Sequence, residues 1–125
     1  MGPQPLIVNF APTGMVPTRG QTPHVPLTTD EILEDVRRCA ELGVSIVHVH
    51  ARDADGVPSH HADHFAPIVE GIREIDPELV VCVTCSGRRV GSVEARAEVL
   101  ELTAPRSPTW RRSRSARTTS RARRL

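Results

Sequence analysis

Leu79 to Cys85 reads Leu-Val-Val-Cys-Val-Thr-Cys, an unbroken apolar run rich in β-branched residues. It has strand length and offers no polar face to water, the pattern of a strand buried on both faces in a parallel sheet. Parallel strands cannot be joined by hairpins, so the flanking chain has to supply crossover helices. It does. Thr28 and Glu31 have capping-box spacing, and Ile32, Leu33, Val36, Cys39, Ala40 and Leu42 form one apolar side of the helix that follows, with Gly43 as its stop. Val44 to His50 then reads as a strand, and His61 to Ile75 as a second helix packing Phe65, Ile68, Val69, Ile72 and Ile75, with Pro67 tolerable only near its first turn. Ahead of these, Pro5 to Ala11 reads as a first strand, and behind them Ser92 can cap a third helix through Leu102 carrying Val93, Ala97 and Leu100. Strand and helix alternate three times, which implies an α/β fold of parallel βαβ units with ligands bound at the carboxyl ends of the strands.

Two stretches carry no regular element. Thr13 to Leu27, bounded by Pro12 and containing Pro17, Pro23 and Pro26, reads as a long ordered loop, a kind often functional in compact domains. Arg52 to Pro58 is turn chemistry that reverses the chain.

At 125 residues the chain suits one domain, whose core must be aliphatic because it holds only two Phe, one Trp and no Tyr. Charge divides it. All 15 acids lie at or before Glu101 with eight arginines, leaving that part at −7, while the other eight arginines, from Arg106 onward, give the remainder +8. Residues 1–103 therefore read as the domain, and 104–125 as a basic tail of Pro, Ser, Thr and Arg that builds no core. Such a tail is either a disordered arm able to neutralise phosphates, which makes a small nucleic-acid-binding protein the alternative reading, or the out-of-frame product of a GC-rich gene. A permitted choice of codons from Arg106 onward, read one frame over, yields a strand-like segment. Three scattered cysteines suit reduced thiols rather than a disulfide scaffold, and no apolar stretch is long enough to span a bilayer, so a cytoplasmic protein is expected.

The candidate chemistry lies at the end of the second strand. His48 and His50 are two residues apart, so in an extended strand they share a face, with Cβ atoms roughly 6 to 7 Å apart. Two neutral imidazoles there could hold a divalent metal such as zinc and leave room for a third ligand and a substrate; ordinary polar residues on a solvated face remain the other reading. His60, His61 and His64 read as solvated residues at a helix start. Cys82 and Cys85 have C-x-x-C spacing but fall on a strand, where i and i+3 face opposite sides, so they read as buried thiols. Gly87 to Gly91 reads as a structural loop, with a phosphate cradle as the alternative, and Asp53 to Gly56 as a turn lacking the later glutamate of a calcium loop.

From about Leu6 to Leu102 the chain resembles the β-keto acid cleavage enzymes. The resemblance rests on Ala11-Pro12-Thr13-Gly14, on Val25 to Ile32, on Gly43 to Gly56 and on Thr84-Cys85-Ser86-Gly87-Arg88, the third block being the most specific. It implies a (β/α)8 TIM barrel, of which this chain holds about three units in frame, and a homo-oligomer as the full-length assembly. It implies a zinc-dependent reaction in which a β-keto acid and acetyl-CoA give acetoacetate and a new acyl-CoA. The family's strand-two metal ligands match His48 and His50, while its third ligand, a glutamate, lies on a later strand absent here. Thr84 stands where the family has a substrate-contacting serine, and with Ser86 supplies the hydroxyls near the chemistry. Thr13, Gly14, Gly87 and Arg88 match substrate-binding segments. Val16 occupies the position where the aminohexanoate enzyme carries a glutamate against a substrate amine, so an uncharged or differently charged β-keto acid is expected. With the third ligand missing, this chain alone is expected to be inactive.

Overall fold

The computed structural model describes residues 2–104 and 106–112. In chain order it has β1 (Asn9–Phe10), α1 (Thr29–Glu41), β2 (Ile46–Val49), β3 (Ala51–Arg52), β4 (Pro58–Ser59), α2 (Ala62–Ile75), β5 (Val80–Thr84), α3 (Val93–Ala97), a 3₁₀ turn (Glu98–Glu101) and β6 (Trp110–Arg112). β1, β2, β5 and β6 form one wholly parallel sheet in that order. Spatial order therefore follows chain order, without the reversal that marks a doubly wound sheet.

The capping box forms as its spacing predicts. Glu31 N donates to Thr28 Oγ1 at 3.3 Å, and Glu31 Oε2 accepts from Thr28 N at 3.0 Å. The same carboxylate accepts from Leu27 N and takes both of its oxygens to Arg19 Nη2, at 2.6 and 2.7 Å. The Thr28 and Leu27 amides, then Arg19, hold its pKa down at about 2. The helix they start ends at Gly43, whose φ of +89° is open only to glycine at low cost.

α1 and α2 cover one face of the sheet. Ile32 and Val36 of α1, and Phe65, Ile68, Val69 and Ile72 of α2, form a single buried cluster with Val47, Val49, Val81 and Val83 of the strands. Gly71 marks where the two helices approach, since a Cβ there would collide with the Leu33 side chain. Pro67 is the sixth residue of α2, past the first turn to which the sequence would confine it. It stands on the exposed side, so the lost i−4 bond is outweighed by four fully buried neighbours.

Strand alternation sends His48, His50, Cys82 and Thr84 to the other face. Val81 through Thr84 are all buried, as the unbroken apolar run predicts. On that face, residues of the loops that follow β1 and β5 lie beside the histidines.

Three expectations are corrected. The Pro5–Ala11 strand shrinks to Asn9–Phe10, leaving Leu6 84% and Ile7 71% exposed; within the sheet β1 has one neighbour, so nothing covers the start of the run. The third helix breaks after Ala97 into a 3₁₀ turn, and its anchor is Val99, fully buried, while Val93 is 47% exposed. Ser92 does cap it, accepting from Ala95 N at 3.2 Å. Finally, the segment set apart from residue 104 contains β6. Thr109 N donates to Val81 O at 2.9 Å, Val81 N donates to Thr109 Oγ1 at 3.2 Å, and Arg106 Nε meets Glu70 Oε2 at 3.1 Å. Composition gave no sign of this, because an extended segment can satisfy an open strand edge through its backbone alone. The remainder of the proposed tail, 113–125, lies outside the described residues. Among the described residues no helix is long and apolar enough to cross a membrane.

Thr28→Ala should lower unfolding free energy by about 1 kcal/mol at pH 7, read by denaturant titration. Because the Glu31 pKa is depressed in the fold, its contribution is complete above about pH 4.5 and is lost as pH falls towards 2. Glu31→Gln should therefore destabilise the chain at pH 7 and bring it closer to wild type near pH 2.

Candidate active site

β2 ends at Val49, and after His50 comes a hairpin of two short strands, β3 with β4. Gly56, at φ +77°, makes its turn, and Asp53 Oδ1 accepts from Asp55 N and Val57 N. This hairpin carries Arg52, only 9% exposed, beneath the long proline-rich loop. Its guanidinium donates to the carbonyls of Gly14 (2.5 Å), Pro17 (3.0 Å) and Gly56 (3.0 Å). Burial, then Arg89, lowers its pKa. A buried cation spent on three carbonyls, with no carboxylate partner, ties the loop down over the strand ends.

Under that loop lies a cavity of about 350 Å³ lined by Gly14, Met15, Val16, Pro17, His48, His50, Thr84, Cys85, Ser86 and Arg88. The imidazoles of His48 and His50 stand edge to face with centroids 5.0 Å apart. His48 Nδ1 is 3.1 Å from Cys82 Sγ. His50 Nδ1 is buried without a hydrogen-bond partner. Burial first, then His48, Arg52 and His60, push the His50 pKa down to about 4, so the ring is a neutral donor at pH 7. The hydroxyl of Thr84 accepts from Ser86 N at 3.2 Å, shaping the turn that leads to Arg88.

Of the residues singled out in the sequence, His48, His50, Thr84, Ser86, Gly14, Val16 and Arg88 meet at this cavity. Gly87 does not line it, although its neighbours do. Thr13, 7% exposed with Oγ1 unpartnered, lines an adjoining cleft that also reaches Gly14, Pro17 and His50. Among the described residues no carboxylate lines the cavity, and no group of three or more His, Cys, Asp or Glu is placed to hold a metal ion.

Met15, Pro17 and Cys85 also line the cavity, and periodicity gave no hint of them because two lie in the loop and Cys85 just past the strand. Arg52 was missed as well, since nothing in a sequence marks an arginine bound for carbonyls. His60 is a correction. Grouped by sequence with its solvated neighbours, it is 4% exposed, because the hairpin turns Ser59 and His60 inward before α2 begins. Burial lowers its pKa, offset in part by the Ser86 backbone beside it. His61, by contrast, has a side chain 72% exposed and meets Glu98 Oε2 at 3.2 Å.

The sequence profile of the beta-keto acid cleavage enzymes matches residues 5–114. The chain belongs to that family. It is 37% identical over 99 residues to a 3-oxoadipate:acetyl-CoA acetyltransferase of Cupriavidus necator, covering 79% of this chain and 34% of that protein. It is 33% identical over 82 residues to a 3-keto-5-aminohexanoate cleavage enzyme of Fusobacterium nucleatum, covering 66% and 30%. The chain thus spans about a third of the length of these curated relatives. Among solved structures it is similar to ObcA in its ternary complex with a C4-CoA adduct and oxalate, at 20% identity and a TM-score of 0.49 over 62% of this chain and 22% of that one.

Arg52→Ala should cost on the order of 3 kcal/mol from its buried charge-assisted bonds. Hydrogen exchange should speed up at Met15 and Val16 while the β2 and β5 amides keep their relative order of protection. His50 should stay neutral at pH 5 by NMR. With its pKa depressed in the fold it opposes folding progressively as pH falls from 6.5 towards 4.

Proposed function

We propose that the chain forms the metal-binding half of a zinc-dependent β-keto acid cleavage site, within a (β/α)8 barrel whose wall begins with these parallel strands. The reaction takes a β-keto acid and acetyl-CoA to acetoacetate and a new acyl-CoA. The observation that carries it is one shared sheet face: His48, His50 and Thr84 meet Ser86 and Arg88 at a single cavity, at the carboxyl end of adjacent parallel strands.

His48 and His50 would hold the metal, which would supply Lewis-acid polarisation of the keto oxygen. Arg88 is the cation of the cavity wall and is suited to the substrate carboxylate. Thr84 Oγ1 accepts from Ser86 N, so its own proton remains to be donated to a substrate oxygen. Ser86 supplies a second hydroxyl. Arg52 acts at a distance, holding Gly14 and Pro17 over the site so that Val16, half exposed at the cavity, meets the far end of the substrate. With the aliphatic Val16 at that end, an uncharged or anionic β-keto acid is the better fit. Cys39, Cys82 and Cys85, none of them in a disulfide, suit a reducing, cytoplasmic setting.

Two imidazoles are an incomplete set for a catalytic zinc, which usually takes three protein ligands. The 125-residue chain should therefore bind zinc weakly and show no acetyl-CoA-dependent acetoacetate formation. Equilibrium dialysis against zinc should give about one ion per chain at saturation, lost in His48→Ala and in His50→Ala. Zinc uptake indifferent to both substitutions would overturn the assignment. So would salt-sensitive DNA binding that disappears on deleting 104–125 in a chain that takes up no zinc, the result expected of a nucleic-acid-binding protein.

A further inference from the structure

We propose that Cys82 is a positioning residue for His48, its sulfur accepting a hydrogen bond from Nδ1–H and so leaving Nε2 as the nitrogen that meets a ligand in the cavity. The consequence for metal binding rests on the function proposed above, whereas the orientation itself rests on geometry alone.

His48 and Cys82 are register partners on adjacent parallel strands, so their side chains leave the same face side by side. Nδ1 and Sγ are 3.1 Å apart, and Cys82 is 3% exposed. Cys82 does not line the cavity, although His48 does, which puts the thiol behind the ring rather than in front of it. Its place is that of an outer partner to a ligand. His50, just past the same strand, provides the contrast: its Nδ1 is buried and has no hydrogen-bond partner among the described residues.

A neutral imidazole carries one proton and one lone pair, and the bond made by one nitrogen decides which of them the other presents. Histidine in water favours the Nε2–H tautomer, which would turn a proton rather than a lone pair to the cavity. An acceptor at Nδ1 reverses the preference. Metal-ligating histidines usually find that acceptor in a carboxylate or carbonyl; here a thiol sulfur, a weaker acceptor, takes the role.

The test uses the full 125-residue chain, metal-free and ¹⁵N-labelled, at pH 8, with imidazole nitrogens read by long-range ¹H–¹⁵N correlation. Wild type should show His48 as the Nδ1–H tautomer. Cys82→Ala should shift it towards Nε2–H, and Cys82→Val, which fills the space without an acceptor, should do the same and guards against loss of packing in the smaller variant. Cys82→Ser should keep Nδ1–H. Cobalt titration should then show affinity lowered about tenfold in Cys82→Ala and Cys82→Val and largely restored in Cys82→Ser. An Nε2–H tautomer in wild type, or one tautomer shared by wild type and the Ala and Val variants, would overturn the role of Cys82. If wild type takes up no cobalt, it is the metal reading of His48 that fails, while the tautomer still decides the role of Cys82.

Discussion

The parallel pairing of β2 with β5 is the contact on which the rest of the molecule depends. Its register places Val47 and Val49 opposite Val81 and Val83 on the face covered by α1 and α2, and His48 opposite Cys82 on the other. A slip of one residue would turn imidazoles and thiol into the aliphatic cluster and valines into the cavity. Burying the four valines and defining the site are thus one event. The hydrophobic term that holds the sheet against its helices also fixes which way the candidate ligands point.

What the sheet does not supply, the loops do. The cavity has a roof because Arg52 binds the Gly14 and Pro17 carbonyls, and that loop is joined to α1 by the Arg19–Glu31 pair at the helix's own capping box. Glu31 therefore serves two structures, ending the loop and starting the helix. On the far side of the site, Arg96 Nη1 donates to the Cys85 carbonyl at 3.2 Å and Thr84 shapes the turn to Ser86. Charged side chains bonded to backbone carbonyls recur on both walls, which suits a cavity that has to stay open while polar.

Much of this was legible in the sequence because periodicity and caps report on local forces. The helix from Thr29 to Glu41 begins at its capping box and ends at its glycine, and the i, i+2 spacing of His48 and His50 brought both to one cavity. The apolar run at Val80–Thr84 foretold burial of both faces. What escaped was whatever depends on a distant partner. Asn9–Phe10 is short because of what lies beside it, not because of its own residues. Val99 displaces Val93 as the anchor because the third helix tightens into a 3₁₀ turn. His60 is buried through the path of a hairpin, and β6 pairs through its backbone, which no composition records. Cys82 read correctly as a buried thiol, yet its nearness to His48 is a matter of register between two strands 34 residues apart.

Zinc K-edge absorption on the 125-residue chain, loaded at saturating metal, tests the central assignment most directly, because it reports the ligand atoms themselves. Two imidazole nitrogens at about 2.0 Å, the remaining positions filled by oxygen and no sulfur near 2.3 Å, are the predicted result. A sulfur ligand near 2.3 Å, or a first shell without imidazole, would contradict it.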